Sequence, residues 1–298
     1  MNIYNEIASN QRKSILLITL FVGVVILLGL VVGAFYGNSY FGLVMAVIIG
    51  FFYFLFSYYG GANAILTMSH AKEAQKPQYT HLINTIEGIA IAAGLPKPKV
   101  YVIEDDALNA FATGRDPQHA SVTVTTGLLG KLNKLELEGV IAHEISHIKN
   151  YDIRVMMLTA VMVGLTVLLS DFLLRSFWWN RRGSDNGQDK LGLIFLAIGI
   201  ILAILSPIVA QLMQLAVSRK REFLADASGA LLTRYPKGLA DALRKIKNDP
   251  DPLVDYANKA TAHLFISTPF RKKKSAWLAN LFSTHPDIDE RIRRLEGM

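Results

Sequence analysis

The chain of 298 residues is 51% hydrophobic and only 18% charged, a composition that is unusual for a soluble globular protein. It contains no cysteine, which excludes disulfides and means that any metal site must be built from histidine and carboxylate. The net charge of +7 comes from Lys and Arg clusters beside hydrophobic segments, which favours attraction to anionic lipid over binding of nucleic acid.

Two apolar runs near the N-terminus predict a hairpin of membrane helices. No Asp, Glu, Lys or Arg occurs between Lys13 and Lys72, and a helix needs roughly 20 apolar residues to cross a bilayer. We place the crossings at Ile15 to Phe35 and Phe41 to Tyr59, on either side of a turn-prone segment. A cleaved signal peptide is the alternative for the first run, but a second apolar run follows it directly.

Three glycines at four-residue spacing, Gly29, Gly33 and Gly37, predict a groove through which another helix can approach closely. The second crossing is the expected partner. A contact between two copies of the chain is the alternative, so homo-oligomerisation stays open at this point.

The segment from Gly60 to Arg154 is soluble in composition. Its periodicity and turn signals predict four elements: a helix at Tyr79 to Ala93 that ends at Gly94, strands at Val100 to Ile103 and Ala120 to Thr126, and a helix at Asn133 to Asn150. The chain from Arg219 onward predicts further helices, the last beginning near Asp287. These elements predict a mainly α, α+β fold with a small β-sheet.

Two later apolar runs, Val155 to Ser170 and Leu191 to Val217, predict a second hydrophobic hairpin. The first is short for a full crossing, and the second becomes polar and contains Pro207 toward its end. We expect a hairpin that enters the bilayer. Core helices of a soluble domain are the alternative.

Basic residues beside the first crossing predict the orientation of the chain. Arg12 and Lys13 precede that crossing and the hairpin loop has no basic residue, so both flanking segments should face the cytoplasm. The loop after the third run has a basic excess that should resist export, so either the first hairpin dominates or the second does not cross. We predict a multi-pass protein of the plasma membrane.

The strongest chemical signal is the H-E-x-x-H pattern at His143-Glu144-Ile145-Ser146-His147. Histidines at i and i+4 of a helix share one face and can reach one ion, and Glu144 beside them can reach a water at that ion. A surface helix with two histidines is the alternative. An intramembrane site is disfavoured because the motif is surrounded by charged residues, namely Lys131, Lys134, Glu136, Glu138, Lys149 and Asp152.

Two histidines and a water leave tetrahedral zinc one protein ligand short. Glu222, which opens a predicted helix after the fourth apolar run, is the candidate. Asp226, one turn later, can accept a hydrogen bond from the far nitrogen of a zinc-bound histidine and so fix its tautomer. The alternative is that both acids are solvated and balance Arg219 and Arg221.

HEISH followed downstream by E-x-x-x-D resembles the gluzincin pattern, and nearly the whole chain resembles the HtpX family of membrane-bound zinc metalloproteases. The matching segments are the N-terminal hairpin, Asn109-Ala110-Phe111-Ala112, the strand and turn at Val124 to Leu129, HEISH, the second apolar pair, Ser218 to Ala227, and Ser283-Thr284-His285-Pro286. The resemblance implies a zincin-type (gluzincin) catalytic domain with one Zn²⁺ per chain, carried on up to four membrane helices.

The resemblance also implies roles for three residues outside the metal set. Asn109 would position the substrate backbone, and His285 and Arg291 would assist at the oxyanion. The residues by themselves favour a plainer interpretation, in which His285 lies in a turn and Arg291 is a solvated helix residue.

The predicted chain has four parts: a transmembrane hairpin at 1–60, a cytoplasmic catalytic part with the HEISH helix at 61–154, a second hydrophobic hairpin at 155–217, and a C-terminal catalytic part at 218–298. We expect an endopeptidase with Glu144 as general base; the resemblance implies unfolded or damaged membrane proteins as substrates. The alternatives are a non-proteolytic chaperone or scaffold with structural zinc and an iron oxygenase site. The glutamate inside the motif favours hydrolysis.

Overall fold

The structure is a computed structural model, and it describes scattered positions between 12 and 34 together with residues 37–158, 161, 219–249 and 286–298. The predictions for His285, for the basic loop, and for most of the third and all of the fourth apolar run lie outside the described residues. Within them the chain is mainly helical and contains one small mixed sheet.

Helix α1 covers Ser39–Met68 and begins after Asn38, whose side-chain oxygen accepts a hydrogen bond from the backbone N–H of Phe41. Gly60 and Gly61 follow Tyr59 but do not end the helix, which passes the predicted boundary at 60 and continues to Met68. Among the described residues, α1 is the one helix long and apolar enough to cross a bilayer.

The two predicted N-terminal crossings pack against each other through glycines. An added Cβ on Gly29 would overlap the Cβ of Ala46, and one on Gly42 would overlap the backbone oxygen of Gly29. The expectation that the glycine groove receives the second crossing is confirmed for Gly29 and Gly33. Gly37 is different, because it has a φ of 77° and forms the turn between the helices.

Four strands form the sheet in the order β1-β2-β4-β3, with bounds Lys72–Glu73 (β1), Lys99–Ile103 (β2), Ala110–Gly114 (β3) and Ala120–Thr125 (β4). Strands β2 and β4 pair in parallel, and the other pairs are antiparallel. The predictions of β2 and β4 are confirmed. Strand β3 was not predicted, because all five of its residues are buried and it has no polar alternation.

The remaining helices have the bounds Thr80–Ala93 (α2), Thr126–Lys131 (α3), Lys134–Lys149 (α4), Asp152–Leu158 (α5), Arg219–Thr233 (α6), Pro236–Lys247 (α7) and Ile288–Glu296 (α8), with a 3-10 turn at Pro117–His119. The predictions of α2, α4 and the start of α8 are confirmed. Capping residues explain this agreement. Helix α2 ends at Gly94, which has a φ of 71°, and Asn133 forms a capping box with Glu136 at the start of α4.

Helix α4 is the centre of the hydrophobic core and packs against α2, α6, α7 and β3. Its backbone approaches α7 closely at Gly139, where an added Cβ would lie 2.6 Å from the backbone nitrogen of Leu239. Because that neighbour is backbone, it cannot move aside as a flexible side chain could. The HEISH helix is therefore held rigidly between its neighbours.

We expect Gly139→Ala to lower the melting temperature of the full-length protein by several degrees, since overpacking of a tight core costs about 1–3 kcal/mol. Thermal unfolding in detergent measures the change. Gly130→Ala is the matched control, because an added Cβ on this glycine of α3 would meet no atom of the described residues within 4 Å. Equal melting temperatures for the two variants would contradict the close approach of α4 and α7.

Candidate metal centre

Helix α4 presents two buried histidines to one point. His143 and His147 lie one turn apart, and their Nε2 atoms are 3.2 Å from each other. The HEISH motif is therefore a buried feature of the core. This burial excludes the alternative of a surface helix that happens to carry two histidines.

Helix α6 brings Glu222 to the same point. Its Oε1 lies 3.5 Å from Nε2 of His147, and its Oε2 lies 3.8 Å from Nε2 of His143. The ligand atoms of the three residues all lie within 4.8 Å of one another. Histidine and carboxylate donors in this arrangement suit a divalent transition metal.

A glycine allows α6 to lie close enough to α4 for Glu222 to reach. Glu222, Asp226 and Gly229 follow the i, i+4, i+7 spacing of one helix face. An added Cβ on Gly229 would lie 3.0 Å from the backbone nitrogen of His143. Sequence reasoning missed this residue, although its spacing from Glu222 could have indicated it.

A carboxylate lies behind each histidine. Oδ1 of Asp226 is 2.9 Å from Nδ1 of His143, and Oδ2 of Asp152 is 2.9 Å from Nδ1 of His147. An Nδ1–H that donates to a carboxylate leaves Nε2 with its lone pair facing the point shared with Glu222. Asp226 was a predicted candidate for this position, whereas Asp152 was taken only as one of the charges around the motif.

Buried arginines hold both carboxylates. Arg291 on α8 donates to Asp226 from Nε (2.9 Å) and Nη2 (2.7 Å), and Arg221 donates from Nη1 to Asp152 (3.1 Å). The prediction that Arg291 is a solvated helix residue is wrong, since it is 0% exposed. The solvated alternative for Glu222 and Asp226 is wrong for the same reason, because both acids are buried.

The charges buried around this point do not cancel. Among the described residues, with the histidines counted as neutral, four carboxylates oppose two guanidinium groups, which leaves two negative charges in excess: Glu144, Asp152, Glu222 and Asp226 against Arg221 and Arg291. Burying unbalanced charge is costly. One divalent cation bound between the histidines and Glu222 would neutralise the excess.

The pKa values of His147 and Asp226 reflect the opposite charges that lie beside each of them. Burial lowers the pKa of His147, but the hydrogen bond to Asp152 and the nearby carboxylates outweigh burial and raise it to about 9. Burial opposes the ionisation of Asp226, yet the positive charge of Arg291 and the hydrogen bond from His143 lower its pKa to about 2. Positive charge is thus favoured at His147, where a proton and a metal compete.

The donor atoms fit zinc. Two imidazole nitrogens bound to tetrahedral zinc at the usual distance are about 3.3 Å apart, close to the 3.2 Å between the two Nε2 atoms. Three protein ligands leave one position for water or substrate, as in catalytic zinc sites.

Two other predicted site residues are described. Glu144 is buried on α4, and its charge acts on both His147 and Arg291. Asn109 is buried directly before β3, where its Oδ1 accepts a hydrogen bond from the backbone N–H of Ala110. Three further histidines, His70, His81 and His119, are exposed.

Comparison with known proteins gives one family. The model of peptidase family M48 matches residues 76–298. A protease HtpX homolog of Dictyoglomus thermophilum is 46% identical over 295 residues, covering 99% of this chain and 94% of the relative. The HtpX homolog of Caldanaerobacter subterraneus subsp. tengcongensis is 45% identical over 298 residues (99% and 98%), and that of Listeria monocytogenes HCC23 is 42% identical over 306 residues (99% and 100%).

Among solved structures, the crystal structure of S. mikatae Ste24p matches with a TM-score of 0.49 and 19% identity, covering 98% of this chain and 67% of that one. A similarity at this level carries no argument about the site. The family assignment therefore comes from the sequence matches.

The close approach at Gly229 predicts that a larger side chain there weakens zinc binding. Gly229→Val should push α6 away from His143 and withdraw Glu222, lowering zinc affinity at least ~10-fold, as for other supporting residues of metal sites. Chelator competition on the purified protein measures this. Ala227→Val, on a half-buried position of the same helix, controls for the cost of a β-branched residue. Equal zinc affinities of the two variants would contradict the assigned packing.

Proposed function

Since the chain belongs to peptidase family M48, we propose that it is a membrane-anchored zinc endopeptidase whose metal is bound by His143, His147 and Glu222. The observation that carries this proposal is the buried convergence of the three donors, with a carboxylate behind each histidine. The excess of two negative charges that the described residues leave around the donors supports one Zn²⁺ per chain.

When bound, zinc would act as a Lewis acid that polarises the scissile carbonyl and lowers the pKa of a water molecule. Glu144 lies beside His143 on the rigid helix α4, and its carboxylate would accept a proton from the attacking water. The same carboxyl group would then deliver that proton to the leaving amine. A buried glutamate next to the donors has no use in a purely structural zinc site, which disfavours the scaffold alternative.

Arg291 has a second role beside the oxyanion role that the resemblance implies. Its Nε and Nη2 are engaged by Asp226, and Nη1 lies 3.6 Å from Oε2 of Glu222. We assign Arg291 to holding Asp226 and Glu222 in place, so its contribution at the oxyanion would come from Nη1. The role of His285 in assisting at the oxyanion remains a prediction.

Strand β3 supports an extended substrate. It lies at the edge of the sheet, packs against α4 and directly follows Asn109. A polypeptide added to a sheet edge is held mainly by backbone hydrogen bonds, which tolerate many side chains. We propose that unfolded segments of damaged proteins, membrane proteins among them, bind here and that Asn109 contacts their backbone. This substrate class suits protein quality control under stress.

The anchor and the catalytic part meet at the end of α1. Ile65, near the end of α1, joins an apolar cluster with Phe111 of β3 and Met156 and Met157 of α5. We propose that the segment up to about residue 60 crosses the bilayer and that the last turns of α1 belong to the catalytic part. With the N-terminus inside, the metal centre would face the cytoplasm. We also propose that residues 155–217 form a second hairpin that enters the bilayer.

The two glutamates of the proposed site should respond differently to the same substitution. Glu144→Gln removes the base but no ligand, so zinc should stay bound while peptide hydrolysis falls at least ~10²-fold. Glu222→Gln replaces an anionic ligand with a weak neutral donor, so zinc content and hydrolysis should fall together. Metal analysis and casein degradation in detergent measure both.

Glu138→Gln is the matched control, since Glu138 lies on α4 but its nearest partner is Lys134 at 3.9 Å. This variant should keep both zinc and activity. Full zinc and activity in Glu222→Gln would place the third ligand elsewhere. Normal cleavage by Glu144→Gln would refute the hydrolytic mechanism.

A further inference from the structure

We propose that Asp152 and Arg221 form a positioning pair that orients His147 for metal binding and couples it to the first turn of α6. This inference rests on the proposed zinc site and adds two residues to its machinery. Both residues connect to the site through His147, whose Nδ1 lies 2.9 Å from Oδ2 of Asp152.

The geometry is a continuous chain of hydrogen bonds from imidazole to carboxylate to guanidinium. Asp152 uses one oxygen for each partner: Oδ2 lies 2.9 Å from Nδ1 of His147, and Oδ1 accepts a hydrogen bond from Nη1 of Arg221 at 3.1 Å. All three side chains are buried. With water excluded from the chain, the carboxylate has a fixed orientation and holds the imidazole ring in one rotation and one tautomer.

A strained turn places Asp152 in this position. Helix α4 ends at Lys149, and Tyr151 has a φ of 60°, which is rare for a residue with a bulky side chain. Helix α5 then starts at Asp152 itself, so the chain bends sharply within two residues after the HEISH helix. Backbone strain of this kind persists only where the surrounding structure compensates for it. The contacts of Asp152 with His147 and Arg221 are the compensation that we identify.

The same three groups recur on the other side of the site, where His143, Asp226 and Arg291 form an equivalent chain. Helix α6 contributes a different residue to each of the two hydrogen-bonded chains. Helix α6 supplies Asp226 to one chain and Arg221 to the other, while it also supplies Glu222. A displacement of its first turn would therefore disturb the carboxylate ligand and the support of His147 together.

A positioning role can be separated from simple charge balance. Asp152→Asn has two effects: it removes the negative charge that accepts a hydrogen bond from Arg221, and it replaces a carboxylate with an amide that can also donate to Nδ1. An amide donor would favour the tautomer with a proton on Nε2, which cannot bind metal. Adding Arg221→Gln removes the guanidinium that faces this amide but keeps the amide.

The experiment compares the full-length protein with Asp152→Asn and with the double variant Asp152→Asn/Arg221→Gln, measuring zinc affinity by chelator competition and the melting temperature without metal. We expect the zinc affinity of the double variant to stay 10- to 100-fold below wild type, because its amide still faces Nδ1 of His147; the melting temperature shows whether each variant is folded. The Co²⁺-substituted form of the double variant should show shifted ligand-field absorption bands.

Glu87→Gln/Lys97→Gln is the control, because it neutralises an ion pair outside the metal centre, between α2 and the segment before β2. It should leave zinc affinity and the Co²⁺ spectrum unchanged. If the folded double variant at 152 and 221 binds zinc as tightly as wild type, the pair only balances charge and the proposal is overturned.

Asp152→Glu tests the same idea if the amide variants fail to fold. The longer side chain keeps the charge that pairs with Arg221 but moves the carboxylate relative to Nδ1, so zinc affinity should fall; unchanged affinity would overturn the positioning role. A wild-type protein that binds no zinc would instead overturn the proposed function, and this inference with it.

Discussion

The excess of buried negative charge around His143 and His147 is the constraint on which the rest of the structure depends. Among the described residues, four carboxylates and two arginines meet where α4, α5, α6 and α8 converge, which leaves two negative charges away from water when the histidines are neutral. Such a cluster favours a compensating positive charge, either a proton on His147 or the proposed zinc ion. Because proton and metal compete for the same imidazole, zinc binding should depend on pH and be coupled to folding.

The scaffold meets this constraint by bringing helix backbones unusually close. Gly139 and Gly229 let α7 and α6 approach α4 at its backbone, which fixes the histidines and brings Glu222 within reach. The elements that close the site come from distant parts of the chain, since α6 and α8 follow α4 by many residues. The apolar cluster around Ile65 extends this rigid packing to the apolar helix α1. A protease needs this rigidity because its base and ligands must keep their distances throughout the reaction.

Short sequence patterns predict the helices whose ends and ligand positions are determined by residues close together in the chain. The spacing of HEISH, the capping residues Asn133 and Gly94, and the E-x-x-x-D spacing predict helices and candidate ligands that the structure brings together. Asp152 could not be distinguished from its solvated neighbours, since its burial depends on a turn at Tyr151 and on Arg221 from a remote helix. Strand β3 and the burial of Arg291 were missed for the same reason, because tertiary packing determines them.

X-ray absorption at the zinc K edge, on the wild-type protein purified in detergent, tests most directly whether one zinc ion balances the buried charge. Our account predicts one zinc per chain with two imidazole nitrogens at about 2.0–2.1 Å, the remaining ligands being oxygen. Scattering from the outer atoms of the imidazole rings would identify the two histidines. A shell of oxygen alone, or a different number of imidazoles, would place the metal elsewhere and contradict the assignment of His143, His147 and Glu222.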